Sequence, residues 1–166
     1  LQAIYQFLRV GFATGRSVLE QYANPSVMRI VELRRKVGNE CHHFREFARF
    51  ESLNGSVYVS HLEPKSDVIM LVGRHFADRM PSEHWMIIDD KRKIACIHPK
   101  DGTNYLRYLT DEEFDTLQKT EEYTDTYTDL WKTFFHAVGI KERENYICQR
   151  NLFPKWKRKH AVEFRE

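Results

Sequence analysis

Residues 84–99, HWMIIDDKRKIACIHP, set the hardest constraint on the fold. Two apolar runs, Trp85 to Ile88 and Ile94 to Ile97, flank a charged turn from Asp89 to Arg92. Successive side chains of a strand point to opposite faces. Runs that are apolar at every position therefore need cover on both faces. The stretch reads as a β-hairpin inside a sheet covered by helices.

A second hairpin lies upstream, in EFARFESLNGSVYVSHLEP. Asn54-Gly55 suits a type I′ turn, because both central positions want positive φ. It joins roughly 47–53 to 56–62, with Val57, Val59 and His61 on one side and Tyr58, Ser60 and Leu62 on the other. Between the hairpins, SDVIMLVGRHFADRMP predicts a helix capped by Ser66 or Asp67 and stopped by Pro81.

Helices flank this block. LQAIYQFLRVGF is in helical rhythm through Ile4, Phe7, Leu8, Gly11 and Phe12. Asn24 and Pro25 fit the N-cap and first position of a long helix bearing Val27, Ile30, Val31, Val37 and Cys41 on one stripe. Thr110 and Glu113 form a capping box. A further helix over roughly 125–138 presents Leu130, Trp131, Phe134, Phe135 and Val138 to a core, with Gly139 as its left-handed C′ residue. A short helix and a second one after Pro154 complete the chain. The expected fold is α+β. A small antiparallel sheet of two hairpins, with a helix between them, is covered by N- and C-terminal helices.

A chain of 166 residues fits one domain, 1–166. The opening lacks Met, so this domain is expected to be the C-terminal part of a longer protein. Three cysteines, Cys41, Cys96 and Cys148, lie far apart with no CxxC pair, which argues against a disulfide framework or zinc ribbon and for a reducing cytoplasm. No apolar run approaches a membrane span, and no membrane partner is expected.

Net charge is only +2, but it is unevenly spread. Residues 100–130 hold nine acidic against three basic side chains, whereas 141–166 hold eight basic against four acidic. Such asymmetry directs a field toward one part of the surface.

The stretch GIKERENYICQRNLFPKWKRK mixes those cations with Tyr146, Phe153 and Trp156. Arginine forks suit phosphate oxygens, amides add hydrogen bonds, and exposed aromatic rings stack on unpaired bases. Phe153 reads instead as an anchor to the core. Arg34, Arg35, Arg45 and Arg49 mark the long helix and its exit. With Lys141, Arg143, Gln149, Arg150, Lys155 and Trp156 they form the predicted nucleic-acid surface.

Catalytic signatures are weak. There is no GxSxG, P-loop or GxGxxG. Glu40, His43 and Glu46 carry half of a di-iron carboxylate pattern, but no second Glu-x-x-His follows. His61, His75, His84 and His98 lie on or beside the sheet without zinc spacing. Cys41 beside His42 continues an apolar stripe, as a buried thiol would. Asp89-Asp90 sits in a turn, where Asp is favoured for backbone reasons. No metal or other cofactor is expected. Any enzymatic reading would rest on His43, His75, Glu142 and Asn145 meeting in the fold.

Three stretches stand in the order of a known family: VGNECHHF, HFADRMPSEHWMIIDDKRKIACIH and IKERENYICQRNLFPKW. The matching positions are Gly38, Asn39, His43 and Phe44; His75, Phe76, Arg79, Trp85 and Asp89; and Lys141, Glu142, Arg143, Asn145, Gln149 and Pro154. Over nearly its whole length the chain resembles a bacterial family of domains of unknown function connected with DNA metabolism and DNA repair. Members occur fused ahead of a uracil-DNA-glycosylase-like domain or beside a radical-SAM protein. The resemblance implies a DNA-repair setting, DNA as a partner, and chemistry left to such a neighbour. It implies no reaction of the domain itself. Members tend to carry Arg-Tyr-Trp after the proline, where this chain has Lys-Trp-Lys-Arg-Lys, so the aromatic position differs while the site stays basic.

Overall fold

The computed structural model describes residues 1–53, 55–120, 126–155 and 158–164. The chain divides into two compact units, Leu1–His43 and Phe44–Glu166. The first unit begins with α1 (Gln2–Thr14) and a 3-10 turn (Gly15–Glu20). It continues into α2 (Pro25–Phe47), whose last turn belongs to the second unit. Asn24 caps α2 as expected, its Oδ1 accepting from the backbone N–H of Ser26 at 2.9 Å and of Val27 at 3.4 Å.

The second unit is built on a five-stranded sheet in the order β1 (Glu51–Leu53), β2 (Val57–Leu62), β3 (Trp85–Asp89), β4 (Ile94–His98) and β5 (Tyr105–Tyr108). Both expected hairpins are present, β1–β2 and β3–β4. Gly55 turns the first at φ 72°, while Asn54 lies outside the described residues. The hairpins join through β2 and β3, which pair in parallel with His61 opposite Ile88 and Leu62 opposite Asp89. Parallel neighbours need a crossover, supplied here by α3 (Ile69–Arg79). The sheet is therefore mixed. Sequence reading missed β5 because all four of its residues are exposed, which leaves no buried alternation to see.

Helices cover both faces, as the doubly apolar central strands require. On one side Phe114 and Leu117 of α4 (Asp111–Thr120) pack with Val59, Ile88 and Ala95. The capping box at its start is reciprocal: the N–H of Glu113 donates to Thr110 Oγ1 at 3.2 Å, and the N–H of Thr110 donates to Glu113 Oε2 at 3.0 Å. On the other side α3 buries Ile69, Val72, Gly73 and Phe76. A Cβ on Gly73 would stand 2.4 Å from Cys96 Sγ, so only glycine lets α3 approach β4 this closely. Burial pushes the Cys96 thiol up to about 11.

Several local expectations change. α3 is preceded by Val68 with no side-chain cap, so neither Ser66 nor Asp67 serves as its N-cap. α5 (Thr126–Ala137) forms where expected, but Leu130, Phe134 and Val138 are about half exposed and Trp131 is 38% exposed. Leu130, Phe134 and Val138 thus face largely outward, while Phe135 is half-buried with its ring 5.7 Å from that of Phe164, and Trp131 Nε1 donates to Glu163. Gly139 does not enter the left-handed region, and α5 ends without that motif. A 3-10 turn (Lys141–Arg143) leads to α6 (Tyr146–Leu152). Phe153 is an anchor, buried and stacked on Phe47 with centroids 4.0 Å apart. Among the described residues after Pro154 there is no α-helix; a 3-10 turn covers Val162–Phe164. No helix among the described residues is long and apolar enough to cross a membrane.

Candidate functional site

Parallel pairing sends the carboxyl ends of β2 and β3 out at the same edge of the sheet. Open sheets commonly bind ligands beyond such ends. Here the edge carries His61 and Glu63 from β2 and its exit, and Asp90 from the residue after β3. The N–H of Asp90 donates to Leu62 O at 3.0 Å, which fixes the two exits side by side.

His61 is 3% exposed, and its Nδ1 lies 2.8 Å from Asp90 Oδ1. A carboxylate accepts only, so His61 carries the proton on Nδ1. His160, from the segment after α6, closes the group. Its Nε2 is 3.4 Å from Asp90 Oδ2 and 4.0 Å from Glu63 Oε1. The imidazoles of His61 and His160 stack with centroids 6.0 Å apart. Lys159 donates to Glu63. That hydrogen bond holds the Glu63 carboxyl below its ordinary value, against the opposing effect of burial and with smaller help from the charges of Lys159, His160 and Lys91. Among the described residues, Glu63, Asp90 and His160 bring three ligand-type atoms within 4.8 Å of one another.

Neighbouring Asp89 has a different job. It is fully buried; its Oδ1 accepts from the N–H groups of Lys91 at 3.0 Å and Arg92 at 3.1 Å, and its Oδ2 from Arg92 at 2.7 Å. Asp89 shapes the β3–β4 turn, as expected of a turn aspartate. Asp90 is instead drawn into the polar group.

The four sheet histidines do not assemble into one site. His98 stacks on Trp85 at 4.8 Å and bonds Asn104 Oδ1 at 2.7 Å. His84 Nδ1 accepts from the N–H of Lys100 at 3.1 Å, and His75 packs its edge on Phe76. Of the four residues named for an enzymatic reading, Asn145 spends its Oδ1 capping α6, accepting from Cys148 N at 2.9 Å. Glu142 is exposed, and among the described residues no hydrogen bond or ion pair joins His75, Glu142 and Asn145. His43 belongs to the first unit.

The predicted cations divide into engaged and open ones. Arg49 forms a two-pronged bridge to Glu163, at 2.7 and 3.3 Å, and lies over the Trp131 ring at 5.4 Å. Arg45 donates to Leu71 O at 3.0 Å. Arg143, Arg150 and Lys155 are exposed and have no ion pair among the described residues. Arg34 and Arg35, on α2 in the first unit, are likewise exposed. Gln149 is half-buried. The side chain of Lys141, and Trp156 altogether, lie outside the described residues.

Together these features define an α+β domain with a five-stranded mixed sheet, a buried His–Asp pair at its parallel edge, and a cationic segment near its C-terminus. The profile of DUF4130, a domain of unknown function, matches residues 1–163, and the chain belongs to that family. No curated protein and no solved structure matches the chain.

Proposed function

We propose that this domain binds nucleic acid through the segment after Gly139, as an accessory module in DNA metabolism or repair, and leaves bond-making to a glycosylase-like or radical-SAM partner. The observation that supports this reading is the state of Arg143 and Arg150. Five basic side chains of the second unit are engaged in ion pairs: Arg49 with Glu163, Arg92 with Asp89, Arg107 with Glu113, Lys93 with Asp111 and Lys159 with Glu63. Arg143 and Arg150 are exposed with no ion pair among the described residues, so their forks are open to phosphate. Tyr146, 72% exposed, stands between them in the chain and offers a ring to an unstacked base.

Binding of single-stranded and duplex DNA by the parent and by R143A/R150A tests the reading across a salt series. The double variant should bind every sequence more weakly. Two lost phosphate contacts should flatten the slope of log K against log salt by about 1.8 on duplex. Unchanged affinity and slope would remove this surface from the binding site.

A second reading, a docking scaffold, is favoured by the outward apolar side chains of α5 and the residue after it, where Leu130, Phe134 and Val138 are about half exposed. Capture of the radical-SAM neighbour without DNA, abolished by F134D, would support it.

A further inference from the structure

We propose that Glu63, Asp90 and His160 form a binding site for a divalent transition-metal ion at the parallel edge of the sheet, with His61 orienting Asp90 from behind. The donor set is one imidazole nitrogen and two carboxylates, which suits Zn2+ or Mn2+. Tetrahedral bonds of about 2.1 Å place ligand atoms about 3.4 Å apart. The His160 Nε2 to Asp90 Oδ2 separation is 3.4 Å, and all three donor atoms fall within 4.8 Å. Small side-chain rotations therefore close the site without moving the backbone.

Burial makes the case stronger than an acidic cluster could. The Asp90 side chain is only 5% exposed, yet its Oδ2 has no hydrogen-bond partner. His61 Nε2 is likewise buried without one. Buried polar atoms are rarely left so, because desolvation without a new bond is costly. Asp90 Oδ1 is already taken by His61 Nδ1–H, the outer-shell hydrogen bond that commonly fixes a metal-ligating carboxylate. That leaves Oδ2 facing His160 and Glu63. The Lys159 ammonium on Glu63 acts as the resident cation. A metal ion takes its place, so removal of Lys159 should favour the ion. Three protein donors also leave at least one position for water or a ligand oxygen, the arrangement of reactive rather than purely structural sites.

The test is calorimetric titration of chelator-treated protein with Zn2+ and, separately, Mn2+. All proteins carry Cys148→Ser to remove the exposed thiol. One equivalent of one of the two ions should bind. E63Q and H160Q, checked for folding by circular dichroism, should each weaken binding about tenfold or more. K159M should tighten it. No saturable binding of either ion by the folded protein overturns the proposal. So does binding that E63Q and H160Q leave unchanged, which would assign it to other histidines. Glu63 is partly exposed, so E63Q keeps the test open should H160Q fail to fold.

Discussion

Arg49→Met is the substitution that best separates a fold-holding cation from a ligand-holding one. The Glu163 side chain is 3% exposed and the Arg49 side chain 23%. Glu163 Oε1 accepts from one Arg49 nitrogen at 2.7 Å; Oε2 accepts from Arg49 Nε at 3.3 Å and from Trp131 Nε1 at 3.3 Å. Arg49 also donates to the carbonyls of Glu46 and Ala48, each at 3.3 Å, near the end of α2. Removing the guanidinium leaves a buried carboxylate with one indole donor. Breaking a buried pair from one side costs about 3–5 kcal/mol, and the partial exposure of Arg49 puts this case at the lower end, about 3. For a chain of this length that is a fall in Tm of roughly 6–12 °C. Urea unfolding should show the loss in midpoint at nearly constant slope. R49M/E163L should recover part of it, because two apolar groups in place of a buried pair leave no orphaned charge. If R49M stays within about 0.5 kcal/mol of the parent, the bridge contributes nothing and the reasoning fails. Weaker DNA binding at unchanged stability would return Arg49 to the binding surface.

Two further outcomes follow from the packing and the ion pairs. G73A should destabilise the second unit by about 1–3 kcal/mol in the same urea assay, since the new methyl meets Cys96 Sγ, and C96A should relieve much of that cost; equal effects with and without Cys96 would refute the contact. Glu63 has a folded value held below its ordinary 4.5, so its contribution is fully present above about pH 4.5 and is lost as pH falls through the lower folded value. The stability difference between parent and K159M should therefore be largest near neutral pH and shrink in acid; a difference that grows below pH 4 would reverse the assignment.

The features legible in the sequence are those that local chemistry determines. The Asn24 cap, the Thr110–Glu113 box, both hairpins and the intervening helix rest on neighbours within a few residues, and each is present. The reading of Phe153 as an anchor also holds: its ring is buried and stacks on Phe47. β5 and the outward face of α5 were not legible. In both, hydrophobic spacing was a poor guide to burial: the Tyr105–Tyr108 strand sits at the sheet edge, and Leu130 and Phe134 of α5 repeat helically yet remain about half exposed.

The polar group at the sheet edge was hidden for a deeper reason, which is topological. His61, Glu63, Asp90 and His160 span 100 positions of the chain and carry no motif spacing. Two hairpins and a helix are compatible with either an antiparallel or a parallel junction. An antiparallel one would set the end of β2 beside the start of β3 and leave Asp90 at the far edge from His61. The parallel register, Leu62 opposite Asp89, places both strand ends together and lets one imidazole serve one carboxylate. A single pairing choice thus decides whether these polar side chains meet at all. The same choice explains why His61, which alternation puts on the core-facing side with Val57 and Val59, can be both buried and polar: its partner Asp90 arrives just past the end of the neighbouring strand rather than from solvent.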